Sequence, residues 1–255
     1  MFQVSLEERD QVLKPLAESG NEAVGSMGDD TPMAVLSSRE RSLYDFFRQK
    51  FAQVTNPPID PLREAIVMSL EVDLGGEGNL FEETERHARR VSLTSPILSQ
   101  GKFESILALN ESGLKVQVID ATYDPEVTTL KGALETLCQE AAAHVTGGAS
   151  VLVLSDRSIA EARIPIHSLL ATGAVHHHLI TYGLRADSNL IIETGSARDS
   201  HQVACLLGFG ATAIYPYLAY SVLTDQLNSG EILGAPSVCY KTVSYTHLTL
   251  PTSND

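Results

Sequence analysis

The run Ser150-Val151-Leu152-Val153-Leu154 decides the fold, because a short and almost wholly apolar run is typical of a buried strand. Similar runs recur at residues 116–120, 190–193 and 211–215. Patterns typical of helices separate them, at residues 129–145, 165–182 and 197–207. Nearly continuous apolar strands that alternate with helices indicate a parallel sheet covered on both faces. The sequence therefore predicts an α/β fold built from parallel βα units.

The α/β pattern begins near residue 95, and the segment before it is predicted to be mainly helical. Ser5 and Glu8 form a capping box for a first helix, which Gly20 ends. A second helix is predicted from Ser37, and a third from Asp60 toward residue 70. The second helix is expected to bury one apolar stripe, made of Leu43, Phe46, Phe47 and Phe51.

These patterns divide the chain into three parts. Residues 1–94 are predicted to be a helical connecting segment, and residues 95–242 an α/β domain. Residues 243–255 resemble translated sequencing-adapter read-through, so we expect them to be a non-native tail.

Composition excludes several classes of partner. The 255 residues include 32 Asp and Glu against 18 Lys and Arg, for a formal net charge of −14. An acidic chain without a basic stripe argues against nucleic acid and against anionic membranes as partners. The sequence has neither an apolar run of about 18 residues nor a signal-peptide pattern, so we expect no membrane span and no secretion. Its three cysteines are widely spaced, which suits a reducing, cytoplasmic compartment.

The three consecutive histidines His176, His177 and His178 suggest a metal site, but their spacing argues against one. They lie in a predicted helix that begins at Pro165 and stops at Gly183. Successive helical side chains diverge by about 100°, so three adjacent histidines do not converge on one ion. We expect a structural role, with His177 facing packed surface. A metal-binding module remains the alternative.

Carboxylates occur where three predicted strands end, at Asp120, Asp156 and Glu193. Ligand sites of parallel α/β proteins form at these ends, so the three acids are candidates for general acid–base chemistry. The alternative is structural, with Asp156 pairing with a nearby arginine or capping a turn. Ser196 is expected to cap the following helix, with Asp199 at its third position.

A stiff polar corner precedes the third predicted helix. Residues 57, 58 and 61 are prolines, which restrict the backbone to a rigid, non-helical path. Thr55 and Asn56 would then present polar groups at a defined place, which suits the lining of a passage. Most such corners merely join helices, and this interpretation is the alternative.

Several long runs together resemble the central domain of the large subunit of glutamate synthase. The resembling runs are residues 25–37, 51–64, 95–98, 154–157, 174–180, 183–185, 193–198 and 210–220. The histidine run is one of them, within Ala-Val-His-His-His-Leu-Ile, and the last begins Gly-Ala-Thr-Ala-Ile-Tyr-Pro. The resemblance covers nearly all of residues 2–241.

The resemblance implies a fold like a rudimentary or incomplete FMN-type (β/α) barrel. It also implies a parent enzyme, an oxidoreductase acting on CH–NH2 donors, that makes two glutamates from glutamine, 2-oxoglutarate and a reductant. In that enzyme an amidotransferase domain precedes the central domain, and a barrel carrying FMN and an iron–sulfur cluster follows it. Ammonia passes between them through a tunnel. A small reductase subunit is a further implied partner, and the reductant, a nicotinamide cofactor or ferredoxin, stays open.

This chain departs from the parent pattern, because it has neither the N-terminal catalytic cysteine nor the cluster-ligating cysteines. The resemblance therefore implies an inactive scaffold domain with no catalytic, cofactor-binding or metal-binding residue of its own. Thr55 and Asn56 are the candidates for lining the tunnel. The alternative function is a stand-alone α/β enzyme for a small ligand, with Asp120, Asp156 and Glu193 as its acids.

Overall fold

The computed structural model describes residues 2–21, 35–38, 40–47, 60, 62–79, 81–109 and 114–246. The strands are β1 (Val72–Leu74), β2 (Val91–Leu93), β3 (Val116–Asp120), β4 (Thr122–Tyr123), β5 (Val151–Ser155), β6 (Ile164–Pro165), β7 (Asn189–Glu193) and β8 (Ala213–Tyr215). The α-helices are α1 (Lys14–Ser19), α2 (Glu64–Val67), α3 (Gln100–Leu107), α4 (Leu130–Thr146), α5 (Ser168–Thr181), α6 (Ser200–Gly208), α7 (Tyr217–Asn228) and α8 (Pro236–Thr246). A π-helical stretch, Glu8–Leu13, leads into α1.

The central sheet has the order β3-β5-β7-β8, and every pairing in it is parallel. Beyond β8, Ile97 bridges Ile214 in the parallel direction. The strands alternate with helices, as the sequence predicts. Within the part of the chain described above, the sheet stays open and does not close into a barrel.

Alternate residues of each strand point to opposite faces of the sheet, and other elements cover both faces. Leu152, Leu154 and Ile192 pack on the side of α4, α5 and α6. Val153 and Ile191 pack on the other side, against α3 and the ribbon formed by β1 and β2. Burial on both faces explains why these strands are continuous apolar runs rather than alternating ones.

A third cluster joins the N-terminal helix to the C-terminal ones. It consists of Leu13, Leu16, Ala17, Ala219, Leu223, Ile232, Cys239 and Val243. Only one half of the predicted capping box is seen: Glu8 N–H donates to Ser5 Oγ at 3.0 Å, but the carboxylate of Glu8 pairs with Arg198. Gly20 ends α1 in the left-handed conformation with a φ of 70°. The predicted tail is described only as far as Thr246, where it continues α8.

The described part of the N-terminal segment contains less helix than the sequence predicts. Within residues 40–47, the described part of the predicted second helix is a 3-10 turn, Leu43–Phe46, which buries Tyr44 while Phe46 is 54% exposed. Phe51 lies outside the described residues. The third predicted helix is the short α2. The antiparallel ribbons β1–β2 and β4–β6 were not predicted either, since their strands have at most three residues. Strands this short lack a period that sequence alone reveals.

Helix α5 begins at Ser168 rather than at Pro165. Pro165 instead lies in β6, where it pairs with Thr122 of β4, and Ile166 N–H donates to Ala121 O at 2.8 Å. The predicted stop is correct, because Gly183 adopts a φ of 69°.

The predicted orientation of α5 is wrong, because His177 is exposed to solvent. The buried face of α5 runs through Leu169, Thr172, Val175 and Leu179. Apolar residues cover most of the circumference of this helix, so periodicity alone does not select the packed side. Contacts with α4 and α6 select it instead.

Candidate functional site at the carboxyl ends of the strands

The register of the sheet places the predicted acids near one edge. Asp120 lies opposite Ser155, and Ser155 lies opposite Glu193. Asp156 follows β5 directly, and its N–H donates to Glu193 O at 3.1 Å. The structure thus brings Asp156 and Glu193 together in one buried network.

Asp120 lies outside that network. Its side chain is 39% exposed and forms an ion pair with Arg163, with 2.8 Å between Oδ2 and Nη2. Its other oxygen, Oδ1, accepts from the N–H and the hydroxyl of Thr122. Asp120 therefore fastens the β4–β6 ribbon to the end of β3.

Asp156 is 2% exposed and is surrounded by donors. Thr194 donates its hydroxyl to Oδ2 at 2.5 Å, and Gly195 N–H lies 3.1 Å from Oδ1. The Tyr217 hydroxyl also bonds to this carboxyl group. Burial raises the pKa of Asp156 to about 6, although these hydrogen bonds counteract the rise. Burial and the neighbouring Asp156 likewise raise the pKa of Tyr217.

Glu193 holds the arginine that follows Asp156. Ser155 Oγ donates to Glu193 Oε2 at 2.6 Å, and Arg157 Nη1 donates to Oε1 at 2.9 Å. The guanidinium of Arg157 also lies over the Tyr217 ring, 4.9 Å from its centroid. The two structural roles that the sequence suggested for Asp156 are thus taken by two different acids. Glu193 pairs with the arginine, while Asp156 accepts from the backbone of the next turn.

A chain of hydroxyl groups extends this network to the N-terminal segment. Thr194, Ser196 and Ser168 are linked by Oγ–Oγ distances of 2.9 and 2.6 Å. Tyr44 OH lies 2.8 Å from Ser168 Oγ, and burial raises the pKa of Tyr44 to about 12. Sequence reasoning missed Tyr44, because 124 residues separate it from Ser168 and no local pattern marks the contact.

Ser196 is not the helix cap that the sequence predicts. Helix α6 begins at Ser200, and its N-cap is Asp199, three residues after Ser196. Asp199 accepts from Gln202 N–H at 2.7 Å. The hydroxyl of Ser196 belongs to the hydroxyl chain instead. Both residue types are good caps, so composition alone does not distinguish them.

Space at this edge is small. A cavity of about 10 Å3 lies beside Asp156, Ser168 and Glu193, enough for about one water molecule. A second cavity of about 100 Å3 lies on the outer side of Arg157. Ligand pockets of cofactor size have about 300–1,000 Å3, so these two cavities do not fit FMN.

The histidine run does not assemble a metal site. His176 Nδ1 accepts from Arg185 Nε at 3.0 Å, and His178 packs on Tyr182 with a centroid distance of 4.7 Å. Burial and the charge of Arg185 lower the pKa of His176. Among the residues that the structure describes, no group of three or more His, Cys, Asp or Glu side chains could hold a metal ion. The described residues therefore do not fit an iron–sulfur cluster.

Thr55 and Asn56 lie outside the described residues. No helix in the described ranges is both long enough and apolar enough to cross a bilayer.

Fold and site together define a class of protein: an open parallel α/β domain whose acidic strand ends are engaged by its own donors. The family profile described as "Glutamate synthase central domain" matches residues 1–248, and the chain belongs to this family.

Relatives of the chain include glutamate synthases whose names specify different electron donors. The chloroplastic ferredoxin-dependent glutamate synthase of Oryza sativa subsp. japonica is 47% identical over 223 residues, which are 86% of this chain and 14% of that protein. The NADH glutamate synthase of Schizosaccharomyces pombe is 44% identical over 91% of this chain and 11% of its own length. The NADPH glutamate synthase large chain of Bacillus subtilis is 41% identical, over 91% and 15%. The chain thus spans about a seventh of these relatives or less.

Proposed function

We propose that this chain is a non-catalytic scaffold within a glutamate synthase. In this role it holds an amidotransferase domain and an FMN-binding domain of the same parent chain in position. The parent enzyme converts glutamine, 2-oxoglutarate and a reductant into two glutamates, with FMN and an iron–sulfur cluster bound elsewhere. A small reductase subunit would contact the parent rather than this domain.

The observation that carries the proposal is the engagement of the strand-end acids. Asp156 accepts from three groups of its own chain, and Glu193 accepts from Ser155 and Arg157. Asp120 is paired with Arg163. A general acid or base has to reach a substrate atom within hydrogen-bonding distance. Carboxylates already engaged by several internal donors are better suited to joining loops than to proton transfer.

Similarity to relatives with different donors supports the same role. The identities of 47%, 44% and 41% belong to relatives whose names specify ferredoxin, NADH and NADPH. A domain that contacted the electron donor would be expected to differ more strongly among them. The narrow range of identities favours a domain that acts away from the donor.

A chimera tests the proposal in an intact enzyme. Residues 1–242 replace the corresponding segment of the Bacillus subtilis large chain, and glutamine-dependent glutamate synthesis is measured. We expect an active chimera whose activity changes by less than about threefold with Asp156→Asn or Asp120→Asn, provided that its melting temperature is retained. A loss of about 100-fold or more, typical of a lost acid–base group, in a chimera that remains folded would overturn the scaffold role.

The isolated chain distinguishes the alternative, a stand-alone enzyme with Asp120, Asp156 and Glu193 as its acids. We expect the purified chain to release no ammonia from glutamine and to retain no flavin. Stoichiometric flavin in the purified protein would contradict the proposal. Turnover of any small ligand that Asp156→Asn abolishes would instead favour the alternative.

We further propose that Thr55 and Asn56 line the ammonia passage, on the basis of the rigid polar corner in the sequence. In the chimera, Thr55→Phe and Asn56→Phe should increase the glutamine hydrolysed per glutamate formed, because ammonia would escape before it reacts. Glu71→Phe, at an exposed position, serves as the control. An unchanged ratio in both variants would place these residues away from the passage.

A further inference from the structure

The outer cavity beside Arg157 has an unusual lining for an acidic protein. Its volume is about 100 Å3, and its walls come from α3, α7, α8 and the ends of β5 and β8. Tyrosines dominate the lining: Tyr215, Tyr217, Tyr220 and Tyr240. The remaining lining side chains carry hydroxyl, amide or guanidinium groups. Several of these groups already donate within the protein: Ser221 Oγ to Tyr217 O, Thr224 Oγ1 to Tyr220 O and Gln100 Nε2 to Glu104 Oε1. Arg157 therefore supplies the positive charge of the lining, while Glu193 pairs with it and Glu104 acts on Tyr215.

Arg157 is fixed in position but is not fully engaged by its partners. Its Nη1 donates to Glu193, and another side-chain hydrogen bond joins Arg157 to Tyr215. The guanidinium also lies over the ring of Tyr217. Its side chain is nevertheless 57% exposed. A guanidinium has five N–H donors in a planar fork, so donors remain for a group in the cavity. Because the fork is already held in place, little conformational freedom is lost when a ligand binds it.

The start of α3 adds to the same side of the cavity. Ser99 is the N-cap of α3 and lines the cavity together with Gln100. The first turn of this helix has no acidic residue. The amino end of a helix carries partial positive charge, which favours an anion. Arg157 and the helix end thus act on the same small volume.

We infer that this cavity binds a small oxyanion, a carboxylate or a phosphate, through the guanidinium of Arg157. The inference is independent of the scaffold role and requires no reaction. Glu193 neutralises part of the charge of Arg157, so the affinity is modest, in the millimolar range. The planar fork matches the two oxygens of a carboxylate or phosphate edge.

Tyrosine fluorescence reports directly on this cavity. The chain has no tryptophan and eight tyrosines, four of which line the cavity. The 255-residue chain is titrated with sodium acetate and, separately, with sodium phosphate, at constant ionic strength kept with sodium chloride. We expect a saturable change in emission with at least one anion. Saturation with acetate alone identifies a carboxylate site, and saturation with phosphate alone identifies a phosphate site.

Two variants connect the signal to Arg157. Arg157→Lys keeps the charge beside Glu193 but loses the fork, so the apparent Kd should rise by about tenfold. Arg89→Lys is the matched control, because Arg89 is 56% exposed, pairs with Glu85 and does not line this cavity. The double variant R157Q/E193Q removes both charges without leaving a buried carboxylate unpaired, and it should abolish saturation. The inference would be overturned if neither anion gave a saturable change, or if Arg157→Lys left the apparent Kd unchanged.

Discussion

Thr194 donates its hydroxyl to Asp156 across 2.5 Å and thereby joins the ends of β7 and β5, although 38 residues separate the two in the chain. The bond is buried, and Gly195 N–H donates to the same carboxyl group. Buried polar groups contribute most when every donor has an acceptor. Asp156 therefore determines how the loop after β7 leaves the sheet.

Replacement of Asp156 by alanine should destabilise the chain strongly. Asp156→Ala leaves the Thr194 hydroxyl and Gly195 N–H without their acceptor, so we expect a loss of about 2–4 kcal/mol in the free energy of unfolding. Asp120→Ala is the control at the neighbouring strand end, where the side chain is partly exposed. It should cost about 1 kcal/mol or less. Urea denaturation followed by circular dichroism measures both, and equal losses would contradict the difference in burial.

The raised pKa of Asp156 predicts a specific pH dependence of stability. Its pKa rises from 3.8 to about 6 on folding, so between these values the folded state binds more protons than the unfolded state. Stability should therefore fall as pH rises through this range, by about 3 kcal/mol from this group alone.

Asp156→Asn isolates that contribution. The variant should not show the fall between about pH 4 and pH 6, and the difference between the two proteins should be constant above that range. Burial also raises the pKa of Asp199, but Asp199 is present in both proteins and its contribution cancels. Denaturation curves at several pH values give the difference directly. A difference that does not change with pH would show that Asp156 titrates normally.

Adjacent histidines should respond differently to substitution. His176 accepts from Arg185, whose other donors bond to Ser188 O and Gly210 O, so His176→Ala leaves a partly buried guanidinium nitrogen without its acceptor. We expect a loss of about 1–3 kcal/mol. His177→Ala, at an exposed position of the same helix, should change stability by less than about 0.5 kcal/mol. The same denaturation assay compares them, and a larger effect at His177 would reverse the assignment of the packed face.

Zinc titration tests the histidine run as a metal site. Calorimetry on a tag-free chain should detect no binding heat above background. The rings of His176 and His177 lie 5.4 Å apart, but His176 Nδ1 is engaged by Arg185 and His178 packs on Tyr182 instead of joining them. Saturable heat that His176→Ala and His178→Ala both remove would establish the metal-binding alternative.

The cap of α6 provides a comparison between neighbouring residues. Asp199→Ala removes the acceptor of Gln202 N–H and should cost about 1 kcal/mol. Ser200→Ala is the matched control, because within the described residues Ser200 Oγ is buried without a hydrogen-bond partner. Its removal should be neutral or slightly stabilising. Thermal unfolding of both variants checks the assignment, and a larger cost for Ser196→Ala than for Asp199→Ala would indicate that the hydroxyl chain matters more than the cap.

The sequence by itself determined that this protein is built from alternating strands and helices, and to which family it belongs. The apolar runs of β5 and β7, the long amphipathic α4, and the stops at Gly20 and Gly183 are local signals, since each depends on residues within one or two turns of each other. Patterns of this kind can be recognised in the sequence without knowledge of the fold. The strand ends followed from them, and with them the proximity of Asp156 and Glu193.

Tertiary structure alone decided which partners these residues take. The packed face of α5, the choice of Glu193 rather than Asp156 as partner of Arg157, and the link from Tyr44 to Ser168 all depend on residues that are distant in the chain. Helix α5 is apolar on most sides and Asp and Glu are chemically alike, so local pattern left several arrangements open. Burial and hydrogen-bond geometry selected one arrangement. The reason is that leaving a buried polar group without a partner destabilises the fold by more than one hydrogen bond stabilises it.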